Sequence, residues 1–239
     1  MGRSPPAAVK RQLRREANYG CVICGKPLIQ YHHIVPYSEE EHHDPDRMVA
    51  LCYEHHAHAG PDAEALTPDV LYDAKEDPHN SKRVDYPFYF DPSRPEIGVG
   101  SNRFILDQRD HMDILSIAGD PVIQMGYDDG FLTFSTKMGR KSGRTCARVN
   151  ENEWWALTNR VWDLTYKPDE LKIWHEQYDI GLHITYDSDE DLVRIRGSFY
   201  NNGLHVEATE NKLKLGSNII KGSTITDTQV GIAFGASNS

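Results

Sequence analysis

The side chains that could do chemistry gather in residues 21–56. Cys21 and Cys24 form a pair with a two-residue spacer, and Cys52 and His55 form a second pair, with 27 residues between Cys24 and Cys52. Zn²⁺ prefers four tetrahedral nitrogen and sulfur ligands, and a two-residue spacer lets both members of a pair reach one ion. The pattern uses three of the four cysteines, with Gly25 placed to turn the chain after the first pair. His55 and His56 are adjacent and either imidazole could close the set. The spacer favours His55 and leaves His56 for a different task. Between the pairs lies a histidine doublet, His32-His33, in a strand-like apolar run over 31–35.

Taken together, Cys21-x-x-Cys24, His32-His33-Ile34-x-Pro36 and Leu51-Cys52-x-x-His55-His56 resemble the HNH endonucleases. The resemblance spans about residues 8–80, a third of the chain. It implies a ββα-metal domain with a structural zinc knuckle and a separate catalytic divalent ion, Mg²⁺, Mn²⁺ or another. It also implies that His33 is the general base and that His32 and His56 hold the catalytic ion, giving a metal-dependent hydrolase of DNA phosphodiester bonds in a restriction or host-defence role.

The chemistry of the residues agrees with that assignment. A histidine near neutral pKa can take a proton from water, and a divalent ion can stabilise a departing oxygen. Adjacent strand residues point to opposite faces, so a bulge or turn is expected where His32 and His33 share one site. The sequence departs from the family pattern in three ways. Arg47 stands where an Asn is usual, an imidazole takes the fourth zinc position, and His32 replaces a common acid. The last change leaves a less negative site that favours Mn²⁺, Ni²⁺ or Co²⁺ over Mg²⁺.

These groups need elements to position them. Ser4-Pro5-Pro6 opens a helix with no breaker until Gly20, carrying Val9, Leu13 and Ala17 on one stripe and Lys10, Arg11, Arg14 and Arg15 on another. Residues 21–30 form the knuckle, 31–35 and 48–51 two strands, and a helix follows from Cys52. Between the strands runs an acidic loop, 38–46, whose His42 and His43 read as polar loop residues. His58 falls off the face of His56 and reads as a spectator. A further helix starts at Thr67-Pro68-Asp69 and ends by Pro78.

The chain has 239 residues and a net charge of −10, which argues against a simple DNA-coating protein, since duplex affinity rests on phosphate neutralisation. The charge is uneven. Residues 1–26 carry six Lys or Arg, Arg3 and Lys26 among them, against Glu16 alone, so DNA contact is expected through Lys10, Arg11, Arg14 and Arg15. No apolar run approaches twenty residues and the N-terminus shows no signal-peptide pattern, so a cytoplasmic chain without a membrane partner is expected. The leftover Cys146 has no evident partner, which fits a reducing compartment.

The expected organisation is α+β: an HNH domain over 1–80, a proline-rich linker over 81–98 that docks through Tyr86, Phe88, Tyr89 and Phe90, and an all-β domain over 99–239. The last rests on short alternating runs separated by Gly, Asp and Asn turns, as in a sandwich, barrel or short solenoid. Its role is recognition, regulation or oligomerisation. A palindromic double-strand cut would need two sites, hence a homodimer. His111, His175, His183 and His205 are isolated in sequence and read as ordinary polar residues. Trp154, Trp155 and Trp162 read as a packing layer. Two other readings stay open: a non-catalytic zinc-containing DNA-binding module, and a nuclease gated by a ligand or partner on the β domain.

Overall fold

The computed structural model describes residues 4–60, 65–89, 92–128 and 130–235. Arg3 and Phe90, counted above in the basic N-terminus and the aromatic linker, lie outside them. The chain divides into two compact units. The first holds the residues up to Tyr86 together with Leu157–Asn159 and Asp163–Lys167, and the second holds Pro87–Ala156, Arg160–Trp162 and the residues from Pro168 onward.

The first unit contains α1 (Ala7–Glu16), β1 (Ile29–His33), a 3-10 turn at Pro45–Arg47, β2 (Met48–Cys52), α2 (Tyr53–Ala57), α3 (Pro68–Glu76) and β3 (Arg83–Pro87). β1 and β2 pair antiparallel from Ile29↔Cys52 to His33↔Met48 without a register shift. All five residues of β2 are buried, whereas β1 is only partly covered. The difference follows from composition. Met-Val-Ala-Leu-Cys can be buried on both faces, while the polar Gln-Tyr-His-His run keeps one face wet. The core of this unit gathers Ala17, Val22, Ile34, Val49, Leu51 and Leu71 around the buried Cys21 and Cys52.

The second unit is built from strands: β4 (Glu96–Val99), β5 (Asn102–Ile105), β6 (His111–Ile117), β7 (Asp120–Asp128), β8 (Phe131–Gly139), β9 (Thr145–Asn150), β10 (Glu153–Leu157), β12 (Glu170–Glu176), β13 (Asp179–Asp187), β14 (Leu192–Asn201), β15 (Leu204–Thr209), β16 (Lys212–Leu215), β17 (Asn218–Ile220), β18 (Thr224–Thr226) and β19 (Val230–Phe234); the intervening β11 (Asp163–Lys167) belongs to the first unit. β6 to β10 form an antiparallel meander with β19 added parallel to β6. β12 to β17 form a second meander, and β4 lies parallel to part of β14. Alternating burial along β8 and β12 sends every second side chain inward. The two meanders meet where β8 packs against β14, over a core that includes Trp154, Phe134 and Phe199.

The α+β expectation, with a ββα-metal HNH domain at the N-terminus, is overturned. Strands take 50% of the chain and helices 12%, and the class is largely all-β. The physical reason lies in the helices. α2 has five residues, because its C-cap His58 is followed closely by the breakers Gly60-Pro61. β3 and β4 fall inside the stretch expected to be linker. No described helix is long and apolar enough to cross a membrane.

Candidate metal centre and adjoining histidine cleft

Cys21, Cys24, Cys52 and His55 bring one ligand atom each to within 4.8 Å of one another. Cys24 Sγ lies 3.7 Å from Cys52 Sγ, and His55 Nδ1 lies 3.5 Å from Cys21 Sγ and 3.2 Å from Cys52 Sγ. A tetrahedral zinc with ordinary bond lengths has S–S edges of about 3.8 Å and S–N edges of about 3.5 Å. The group is therefore spaced as the edges of a coordination tetrahedron and could hold a metal ion such as zinc. Burial pushes the Cys24 thiol up to about 12, and the neighbouring Cys21 and Cys52 sulfurs add to the shift. Metal ions take cysteine as the thiolate, so a cation bound here would oppose that shift.

The chain builds this centre from local turns. Gly25 has φ 76 and its N–H donates to the Cys21 carbonyl, closing the knuckle; Cys21 N–H returns to the Lys26 carbonyl. The side chain of Asn80 donates to the Gly25 carbonyl at 2.9 Å and packs so closely that a Cβ on Gly25 would lie 2.4 Å from its Oδ1. Glycine is required there twice over, by conformation and by contact. Cys52 ends β2 and serves as N-cap of α2, so His55 arrives on the first turn of that helix.

His56, one residue further, turns to a different place. Its ring lies 5.1 Å from that of His32 at an interplanar angle of 88°. Both rings, together with His33, Tyr31, Tyr37 and Pro36, line a cleft of about 440 Å³. Burial, then the neighbouring His56 and His33, lowers His32 to about 4, and burial lowers His56. His32 is thus a neutral imidazole near pH 7, with a lone pair to offer.

His33 shares the cleft with His32 without the expected bulge in the strand. It is the last residue of β1, the chain bends at Ile34 and Val35, and Nε2 of His33 lies 3.1 Å from the His42 carbonyl. A carbonyl only accepts, so Nε2 carries the hydrogen of that contact. His42 is itself fixed: Nδ1 accepts from the Asp44 N–H at 3.2 Å, and Nε2 donates to the Val35 carbonyl at 3.0 Å. Both of its nitrogens are engaged, so it braces the loop. His43 stacks on Tyr37, 5.5 Å away at 25°. Arg47 holds Glu40 with two bonds of 2.7 and 2.9 Å and lies 3.4 Å from Asp44. The acidic loop is therefore closed onto a cation.

The four basic residues of α1 do not form one surface. Arg14 donates to both carboxylate oxygens of Asp163, at 3.0 and 2.5 Å, and to Tyr31 Oη at 2.7 Å, with its side chain 12% exposed. Burial works against its charge, but Asp163 and Tyr31 outweigh that and raise its pKa. Its expected place in a DNA-contact set is corrected: the guanidinium is spent inside the unit. Lys10 donates to Ser4 Oγ at 2.8 Å. Arg11 and Arg15 line a groove of about 650 Å³ with Gln12, Tyr19 and Thr158. His58 is exposed at the end of α2. Asp163 and Asn80, on which the site depends, carry no motif that marks them. Comparison with protein-family models, with curated proteins and with solved structures finds no match for this chain.

Proposed function

We propose that the chain is a metal-dependent endonuclease acting on DNA, with His33 as general base. The observation that carries this reading is the convergence of His33, His32 and His56 on one cleft directly beside the Cys₃His centre. A purely structural zinc module has no use for three further imidazoles in a cleft. In the proposed reaction, the His33 imidazole takes a proton from a water that attacks phosphorus in line. The bond from phosphorus to the 3′-oxygen breaks, the electron pair leaves with that oxygen, which takes up a proton from solvent water, and the products are a 5′-phosphate and a 3′-hydroxyl. The His42 carbonyl holds the imidazole in the required tautomer and stabilises its protonated form.

His32 and His56 would hold a divalent ion. Their rings lie 5.1 Å apart on one wall of the cleft, close enough for both to serve a single ion. Such an ion supplies Lewis-acid stabilisation of the departing oxygen, and an all-imidazole protein set favours Mn²⁺, Co²⁺ or Ni²⁺ over Mg²⁺. Arg11 and Arg15 would meet backbone phosphates along their groove.

The test is cleavage of supercoiled plasmid by the wild type and by His33→Ala in Mg²⁺, Mn²⁺ or Ni²⁺, with bound zinc measured in both. Nicked or linear product from the wild type alone, at equal zinc content, is expected. Retained cleavage by the variant removes His33 from its role. Absence of cleavage by the wild type in every metal replaces the enzyme with a zinc-containing DNA-binding module.

A further inference from the structure

The second unit has a polar pocket of its own, far in sequence from the histidine cleft. It measures about 240 Å³ and is lined by Arg140 and Lys141 from the turn between β8 and β9, His175 and Glu176 from the end of β12, Asp179 from the start of β13, and Tyr200 from β14. The facing meanders bring these four segments together, since β8 packs on β14 and β13. Gly181 lets Met138 and His175 pack closely against the backbone of β13. A Cβ on Gly181 would lie 2.1 Å from Met138 Cε and 2.7 Å from His175 Nε2.

His175 is the informative residue. It is 8% exposed, and among the described residues neither ring nitrogen meets a partner at hydrogen-bonding geometry. Burial lowers its pKa against weaker raising effects of Asp179 and the Ser198 backbone, so it is a neutral ring with one donor and one acceptor. A buried imidazole left with no well-formed hydrogen bond, the Ser198 backbone being its nearest approach, costs free energy that a bound group would recover. Around it the lining is divided by charge. Glu176 and Asp179 can accept from amino groups, while Lys141 and Arg140 offer positive charge at the rim, Arg140 being steadied by the Arg160 carbonyl at 3.0 Å. Tyr200, stacked on His205 at 4.2 Å and 7°, provides a rigid aromatic wall 5.9 Å from His175. Beside Asp179, Tyr178 stands 91% exposed at the hairpin tip.

One ligand chemistry matches this arrangement: a flat heterocycle with ring donors and acceptors and exocyclic amino groups, joined to a phosphate. We infer that the His175–Tyr200 pocket binds a nucleotide, its base directed to His175, Glu176 and Asp179 and its phosphate to Lys141 and Arg140. The nucleotide is either free or one residue of a single strand with its base turned out, for which Tyr178 and the basic 140–144 turn offer a stacking surface and backbone contacts. The inference does not require that the first unit cleaves DNA.

Binding is measured by calorimetry on the full zinc-loaded His33→Ala chain, so that no strand is cut. The probes are the four deoxynucleoside monophosphates, inorganic phosphate, and a single-stranded oligonucleotide with and without one abasic position. At least one monophosphate is expected to bind below about 1 mM, at least tenfold more tightly than inorganic phosphate. His175→Ala and the exposed Lys141→Ala should each weaken it about tenfold; Lys141→Ala serves if the histidine variant does not fold. Binding of monophosphates without the oligonucleotide identifies a free-nucleotide site. Oligonucleotide binding that falls with the abasic position identifies a base held in a strand. No binding of any nucleotide, or binding that both variants leave unchanged, overturns the proposal.

Discussion

Replacing Asp163 by Ala isolates the contact on which α1 depends. Arg14 and Asp163 have side chains 12% and 7% exposed and share two hydrogen bonds. Removing the carboxylate leaves a buried guanidinium with Tyr31 Oη as its one side-chain acceptor among the described residues. Breaking a buried pair from one side costs about 3–5 kcal/mol. The surviving bond to Tyr31 and the partial exposure place this case at the low end, about 3 kcal/mol. For a unit of this size, a urea slope of about 1–1.5 kcal/mol/M converts that into a midpoint lowered by about 2–3 M. All four tryptophans lie in the second unit, so their fluorescence follows that unit, and zinc released to a chromogenic chelator follows the first. The double variant Arg14→Met, Asp163→Leu should recover most of the loss, because an apolar pair replaces a buried ionic one at little cost. A midpoint shift equivalent to less than about 0.5 kcal/mol for Asp163→Ala would refute the reasoning and return Arg14 to the set of residues available for phosphate.

Three further outcomes follow from the same geometry. Stripping the metal, or changing Cys24 to Ser, should unfold the first unit, with a loss on the order of 10 kcal/mol, while tryptophan fluorescence stays native. In salt titrations of DNA affinity, Arg15→Ala should reduce the slope of log K against log salt by about 1, whereas Arg14→Ala should leave the slope unchanged while lowering stability. Cys146 is wholly buried, its thiol donates to the Met138 carbonyl, and burial raises it to about 11 from an ordinary value of 9.0. The folded thiol holds its proton more tightly than the unfolded one, so its contribution is complete below pH 9.0 and is lost as pH rises toward 11. The tryptophan-monitored urea midpoint should therefore fall across that window in the wild type, and less steeply in Cys146→Ala.

What could be read from residue types was mostly local. The spacers of Cys21-x-x-Cys24 and Cys52-x-x-His55 set ligand separations within single turns, so the metal cluster was legible, including the choice of His55 over His56. The doublet His32-His33 pointed to a shared cleft, although strand alternation suggested a bulge that a simple strand end makes unnecessary. The fate of Arg14 was hidden, because its partner is 149 positions away and belongs to no motif. The fold class was misjudged where helix signals meet breakers. Cys52 starts a helix as expected, but Gly60-Pro61 follows too soon for it to become a major element. His175 looked ordinary because Arg140, Lys141 and Tyr200, which share its pocket, lie far from it along the chain.

The return of Leu157–Asn159 and Asp163–Lys167 to the first unit bears on when this protein becomes whole. A chain emerging from a ribosome has the cysteines, the histidine cleft and α1 outside long before Asp163 is made. At about 5–20 residues per second, the roughly 80 residues after Tyr86 take about 4–16 s to synthesise. During that interval α1 lacks the carboxylate that holds Arg14, and the unit waits for its own late-arriving piece. The first unit would thereby stay incomplete until about half of the second unit has been translated. The same threading makes the first unit a poor cassette for transfer: cut from the gene at residue 86, it would leave behind the segment that completes it.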